Sequence, residues 1–360
     1  MSHRPSGDPA TTVLGLPGGA GTTLRAEAPG RVNLIGEHTD YSGGLALPLA
    51  VHLTTTVTGE RGGGVVRLSS PGHAEAVVDL DVDHPEVIEP AWARYVAGVV
   101  AELRPTVGFV GEVRSTVPEG AGLSSSAALE LAVALALGFE GSTGELARLA
   151  QRAEQTASGV PCGLMDQLTS ACGVEDHAVL LDLTADTVLP VAMPPDLEIT
   201  VVHSGQESRL AGSDYADRRR AIERVAADLG PLRSLRLAEV ATISDPVLAR
   251  RARHVVSENE RVLEAVDALG HGDVVRLGTL ATESHRSLRE DFQVSTAVLD
   301  ELVEHLLDQP GVLGARLTGA GFGGCVVALA RPGALDPARF ERAWRVHAAA
   351  GAAVDGHERP

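Results

Sequence analysis

The run Ala127–Leu137 carries one polar side chain, Glu130, among eleven residues. A helix of that composition has no polar face, so other elements must enclose it on every side. The run therefore reads as a buried helix. Its N-terminus is preceded by Pro118-Glu-Gly-Ala-Gly-Leu-Ser-Ser-Ser126. Glycines at 120 and 122 let a backbone turn its N–H groups toward a ligand without a Cβ in the way. Serines 124–126 are suited to cap the free N–H groups of the first helical turn, and the helix dipole adds about half a positive charge there. One reading is an anion site, most naturally for phosphate. The other is a capped buried helix following a turn.

All 30 formal positive side chains are arginine, and lysine is absent. This excludes the Gly-x-x-x-x-Gly-Lys-Ser/Thr nucleotide loop, the protein-kinase lysine and Schiff-base chemistry. Any phosphate must be held by backbone N–H groups, arginine and a metal. A net charge of −18 argues against nucleic acid or an anionic membrane as partner. No apolar run reaches the length of a membrane span. Cys162, Cys172 and Cys325 lack metal-ligand spacing and read as reduced buried thiols of a cytoplasmic protein.

The pattern predicts a disordered leader over 1–21, an N-terminal domain over 22–190 and a C-terminal domain over 191–353. The boundary falls where Pro190, Pro194 and Pro195 cluster. Alternating segments at 24–28, 32–35, 45–58, 109–116, 177–182 and 197–203 read as strands. Segments 92–103, 144–158, 214–229, 249–269, 273–290 and 297–307 read as helices, and 337–350 as a terminal helix. Gly36-Glu-His-Thr-Asp-Tyr-Ser-Gly-Gly44 breaks the apolar rhythm with a cluster of polar groups. It reads as a solvated turn, as a metal site, or as a loop wrapped around a neutral polyol. Strand alternation works against a metal site, because Glu37, His38 and Asp40 cannot all face one way. Glu154 lies beside the apolar face of its helix, either paired or as a cation ligand. Asp166 stands among apolar neighbours as an N-cap or as a general base. Arg218–Arg220 read as a solvated charge run. Thr318–Gly324 is a glycine-dense turn between strands, and either a tight bend or a surface pressed against a ligand.

Three stretches together resemble the motifs of the sugar and isoprenoid kinase superfamily that includes galactokinase, homoserine kinase, mevalonate kinase and phosphomevalonate kinase: 29–44, 118–129 and 317–325. Gly30-Arg-Val-Asn-Leu-Ile-Gly-Glu-His-Thr-Asp-Tyr41 is similar to the galactokinase signature. Glu283–Arg289 and Arg251–Val255 also resemble that family. Three places depart from the family's pattern: Ser42 stands for a frequent asparagine, Ala320 interrupts a run of glycines, and Val202–Ser208 is unlike the usual stretch.

The resemblance implies an α+β fold of two domains, the first like domain 2 of ribosomal protein S5 and the second ferredoxin-like, with the site between them. It implies transfer of the γ-phosphoryl group of ATP to the anomeric hydroxyl of galactose. The alternatives are an anomeric kinase for N-acetylgalactosamine or arabinose, or a non-catalytic sugar sensor. Asp166 would take the hydroxyl proton and Arg31 would neighbour the transferred group. Glu37, His38, Thr39, Asp40, Gly163 and Tyr215 would hold the sugar. Gly120, Ala121, Gly122, Leu123, Ser124, Ser125 and Ser126 would hold the phosphates, and Ser126 with Glu154 would ligate Mg²⁺. Ser69 or Ser70 would lie near the base. The expected partners are galactose and ATP, with the chain a monomer or weak homodimer.

Overall fold

The computed structural model describes residues 7–14, 23–207 and 213–355. In chain order the strands are β1 (Val13–Leu14), β2 (Thr23–Asn33), β3 (Leu45–Ala46), β4 (Pro48–Arg61), β5 (Val65–Ser69), β6 (Ala76–Asp79), β7 (Phe109–Ser115), β8 (Gly141–Ser142), β9 (His177–Asp182), β10 (Thr187–Ala192), β11 (Glu198–His203), β12 (Val312–Thr318), β13 (Cys325–Ala330), β14 (Ala343–Val346) and β15 (Ala353–Val354). The helices are α1 (Ala93–Leu103), α2 (Ser125–Leu137), α3 (Thr143–Ser158), α4 (Met165–Cys172), α5 (Ser213–Leu229), α6 (Leu237–Val240), α7 (Pro246–Gly270), α8 (Val274–Ser287) and α9 (Ala297–Leu307).

The α+β expectation holds. A mixed six-stranded sheet runs β15-β2-β4-β7-β5-β6, with β5 and β7 its parallel pair. Helix α2 lies across β2 and β4 and is flanked by α1, α3 and α4. Every residue of α2 from Ala127 to Leu137 is buried, as a helix without a polar face requires. A second, antiparallel sheet runs β12-β13-β11-β14. It carries its own apolar core, with Phe292, Leu299, Leu306 and Leu317 at its centre. Helices α8 and α9 pack on β12, and α7 on α8.

Two apolar strands expected in β2 are one strand with a register shift between Pro29 and Arg31. The glycine there has a packing reason: a Cβ on Gly30 would sit 2.6 Å from the Leu123 carbonyl. The bulge thus brings β2 against the loop that opens α2.

Three expectations are corrected. Residues 7–14 of the proposed leader are structured; Asp8 caps a short turn, Thr143 Oγ1 donates to the Pro9 carbonyl at 2.5 Å, and β1 pairs with β8. The remainder of that leader lies outside the described residues. The terminal helix at 337–350 is instead a turn followed by β14, which adds to the edge of β11. Exposed Arg345 and His347 alternate with buried Val346 and Ala348, a period of two that suits a strand and not a helix. Finally, β10 pairs with β9 and β15 with β2, so the first domain's sheets include residues up to 192 and again from 353.

Candidate active site

A cleft of about 710 Å³ lies where the two domains meet, and all three motifs reach it. Arg31, on β2, is 5% exposed. Its Nε donates to Asp166 Oδ1 at 2.7 Å, its Nη2 pairs with Oδ2, and its Nη1 donates to the Gly122 carbonyl at 2.6 Å. Burial opposes the charge on Arg31, but the adjoining carboxylate of Asp166 outweighs it and the guanidinium is held above its usual range. Asp166, in the first turn of α4, also accepts the Ser124 hydroxyl on Oδ2. One bidentate pair therefore touches the loop before α2 from both sides.

That loop is shaped by its carbonyls. Gly120, Gly122 and Ser124 all adopt positive φ, at 68°, 68° and 57°. The Pro118 carbonyl takes the Ala121 N–H, Glu119 takes Arg342 Nη2 at 3.1 Å, and the His203 ring hydrogen-bonds the Gly120 backbone. Gly122 and Leu123 accept from Arg31, and Ser124 from the Ala128 N–H. With these carbonyls engaged away, main-chain N–H groups make up most of the loop's remaining polar edge. The expected serine cap is absent: no side chain caps α2 at Ser124. Ser124 and Ser126 spend their hydroxyls on Asp166 and Glu154, which leaves the helix N-terminus for a ligand. Gly120, Gly122 and Ser124–Ser126 line the cleft; Ala121 and Leu123 are buried and are not among its lining residues.

Ser126 Oγ donates to Glu154 Oε1 at 2.9 Å, and Gln167 Nε2 to Oε2. Burial, then the charge of Asp166, pushes the Glu154 carboxyl up to about 7 against those two bonds. A hydroxyl and a carboxylate crowded by a second carboxylate form an oxygen-only donor set that a divalent cation would relieve. No cluster of three metal-ligating side chains exists among the described residues. The set therefore fits Mg²⁺ shared with phosphates, not a closed protein cage.

The loop 36–44 meets Asp166 from the other side. Glu37, 2% exposed, pairs with the wholly buried Arg316 at 3.0 Å, and the same Oε1 accepts the Gly319 N–H at 2.8 Å. This ties the first motif to the third and excludes the bare-turn reading of both. His38 has φ 62° and faces Phe292 and Tyr215 at ring distances of 4.7 and 5.8 Å. Burial, then neighbouring His254, hold its imidazole down at about 3, so the ring is neutral. Asp40 is pushed up to about 6 by burial, then by Asp166 and Glu37. It packs so closely on Gly163 that a Cβ there would lie 1.6 Å from Oδ2. Glu37, His38, Asp40, Gly163 and Tyr215 all line the cleft.

Thr39 does not line it. Wholly buried, its hydroxyl lies 2.8 and 2.7 Å from the carbonyls of Gly36 and Leu45, which share its one proton, and staples the loop closed. Ser69 and Ser70 also lie outside the cleft lining; Ser69 is exposed at the end of β5. Sequence reasoning missed Arg316, Gln167, Glu130 and Arg342. Arg316 had a signal, a lone cation inside the apolar run Val312–Leu317. So did Glu130, whose wholly buried carboxyl is pushed well above its usual range by burial and by Glu154.

Three family models match: the GHMP kinases N-terminal domain over residues 94–174, the galactokinase galactose-binding signature over 19–61, and the GHMP kinases C-terminal over 265–350. Galactokinase of Homo sapiens is 44% identical over 331 residues, covering 86% of this chain and 84% of that protein. Galactokinase of Mycobacterium bovis is 45% identical over 325 residues, covering 85% and 89%. The crystal structure of Lactococcus lactis galactokinase complexed with galactose superposes with a TM-score of 0.83 at 31% identity, covering 92% of this chain and 95% of that one. Methanococcus jannaschii mevalonate kinase shares the fold, with a TM-score of 0.67 at 20% identity, covering 91% and 99%. With the signature loop, the glycine-serine loop and the buried arginine–aspartate pair converging on one cleft, the chain belongs to the galactokinase family of the GHMP kinases.

Proposed function

We propose that this cleft transfers the γ-phosphoryl group of ATP to the anomeric hydroxyl of D-galactose, giving α-D-galactose 1-phosphate and ADP. The observation that carries the reading is the placement of Asp166. It touches Arg31 and Ser124 on the phosphate side and adjoins Asp40 on the polyol side.

The loop Gly120–Ser126 and the N-terminus of α2 receive the phosphates through N–H groups and the helix dipole. Glu37, His38, Asp40, Gly163 and Tyr215 hold the sugar. Asp40 and Glu37 accept from its hydroxyls, while the rings of His38 and Tyr215 cover a ring face. Asp166 orients the C1 hydroxyl and accepts its proton as the oxygen attacks phosphorus. The bond from phosphorus to the bridging oxygen breaks, and ADP carries the electron pair away. Arg31 keeps Asp166 oriented and faces the charge on the transferred oxygens. Ser126 and Glu154 would hold Mg²⁺, which when bound neutralises charge on the phosphates.

The test is ADP release by the purified chain across a panel of monosaccharides. Turnover with galactose should exceed that with N-acetylgalactosamine and arabinose. ADP release fastest with another sugar would reassign the pocket, and galactose binding without ADP release would make the chain a sensor.

A further inference from the structure

We infer that Arg342, from the segment before β14, is a nucleotide-binding residue that offers the phosphate loop a positive charge no carboxylate has claimed. The inference rests on reading Gly120–Ser126 as the phosphate site. Arg31 and Arg342 are the arginines that line the cleft among the described residues. Arg31 is committed to Asp166 through both of its carboxylate oxygens. Arg342 makes no ion pair among the described residues. Its Nη2 donates to the Glu119 carbonyl, its Nη1 lies 3.5 Å from His203 Nε2, and its guanidinium stands 5.8 Å from the Trp344 ring centroid.

The surroundings make that charge matter. Glu37, Asp40, Glu119, Glu154, Asp166 and Glu207 line the same cleft. The chain as a whole carries −18 and has no lysine. A polyphosphate entering this field is repelled unless a local cation meets it. His203 does not serve: burial, then Arg342 itself, hold its imidazole below the usual range. Because its Nδ1 accepts the Gly205 N–H at 3.0 Å, its proton when neutral sits on Nε2.

Position sets the expected effect. Arg342 holds the start of the loop, at Glu119, whereas Asp166 holds its end, at Ser124. Arg342 is therefore set to act on nucleotide binding and not on the transfer step. A guanidinium anchored by one N–H to a carbonyl retains other donors for a phosphate oxygen.

The experiment measures equilibrium binding of ATP, ADP, AMP and adenosine to the wild-type chain and to Arg342→Ala, Arg342→Gln and Arg342→Lys, at low and high salt. Arg342→Ala should weaken ATP binding about ten-fold, ADP and AMP progressively less, and adenosine not at all. Galactose affinity and kcat at saturating ATP should hold. The gap should narrow as salt rises. Arg342→Lys should recover most of the loss, and Arg342→Gln, which keeps a donor for Glu119 without charge, should not. An equal loss for adenosine and ATP, full affinity in Arg342→Ala, or rescue by Arg342→Gln would each overturn the inference. A wild-type chain that binds adenosine as well as ATP would sink the phosphate-loop reading itself.

Discussion

Two glycine-bearing loops, 118–126 and 36–44, meet at Asp166 but are built in opposite ways. In the first, side chains and neighbouring elements occupy the carbonyls and the main-chain N–H groups are left over. In the second, main chain and buried side chains occupy one another, as in Thr39 to Gly36 and Leu45 or Glu37 to Arg316 and Gly319. What faces the cleft there is carboxylate and ring. The difference follows from the ligands. An anion is recognised by N–H dipoles that cost no charge. A neutral polyol needs acceptors whose unpaired state in the empty pocket is unfavourable. The raised carboxyl of Asp40, at about 6, records that cost.

The comparison breaks first at the residue both loops share. Asp166→Asn should lower kcat at least a thousand-fold, because the proton acceptor and the charge partner of Arg31 are lost together. Galactose should still bind within a few-fold in a titration. Near-normal kcat would remove Asp166 from the chemistry.

Asp40→Ala should come next, raising the galactose KM about a hundred-fold through hydroxyls left without an acceptor. The ATP KM should stay within about two-fold, since the phosphate loop takes no bond from Asp40. Steady-state kinetics with each substrate varied decide it, and equal effects on both would erase the division between the loops.

A smaller effect is expected on the cation. Ser126→Ala should raise the Mg²⁺ concentration for half-maximal rate about ten-fold. The same site is pH-sensitive, because Glu154 must lose its proton to ligate a cation. Mg²⁺-dependent ADP binding should therefore weaken as pH falls through about 7, and Glu154→Gln should flatten the profile. In the metal-free chain the sign reverses. Protonated Glu154 stabilises the fold, a contribution complete below its ordinary range near 4.5 and lost as pH rises through about 7. A wild-type profile that Glu154→Gln leaves unchanged would assign the pH dependence elsewhere.

The smallest effect separates staple from ligand. Thr39→Val removes the hydroxyl bond shared between the Gly36 and Leu45 carbonyls and should cost about 1–3 kcal/mol of stability, read as a lower Tm, with the galactose KM changed about three-fold or less. A large rise in KM at unchanged Tm would return Thr39 to the sugar.

Much of the site was legible before the fold. Ser126 with Glu154, and Arg31 with Asp166, were paired on sequence resemblance and are found in hydrogen-bond contact. Thr39 lies outside the cleft lining, because a motif names residue types and not the direction a side chain takes; its hydroxyl turns back onto its own loop. The edge strand β14 was read as a helix because 337–350 is rich in alanine and arginine, good helix formers, while the open edge of β11 decided its structure.

What the amino-acid order determined by itself was local. An apolar helix must be buried, glycine loops must bend, and a chain without lysine must hold phosphate by backbone and arginine. Only the tertiary structure decided which partners close the site, because those contacts span residues far apart in sequence. Asp166 reaches Arg31 across 135 positions, Glu37 takes the Gly319 N–H across 282, and Arg342 meets Glu119 across 223. No local preference encodes such pairings; they exist once two domains have packed and buried charges have found partners.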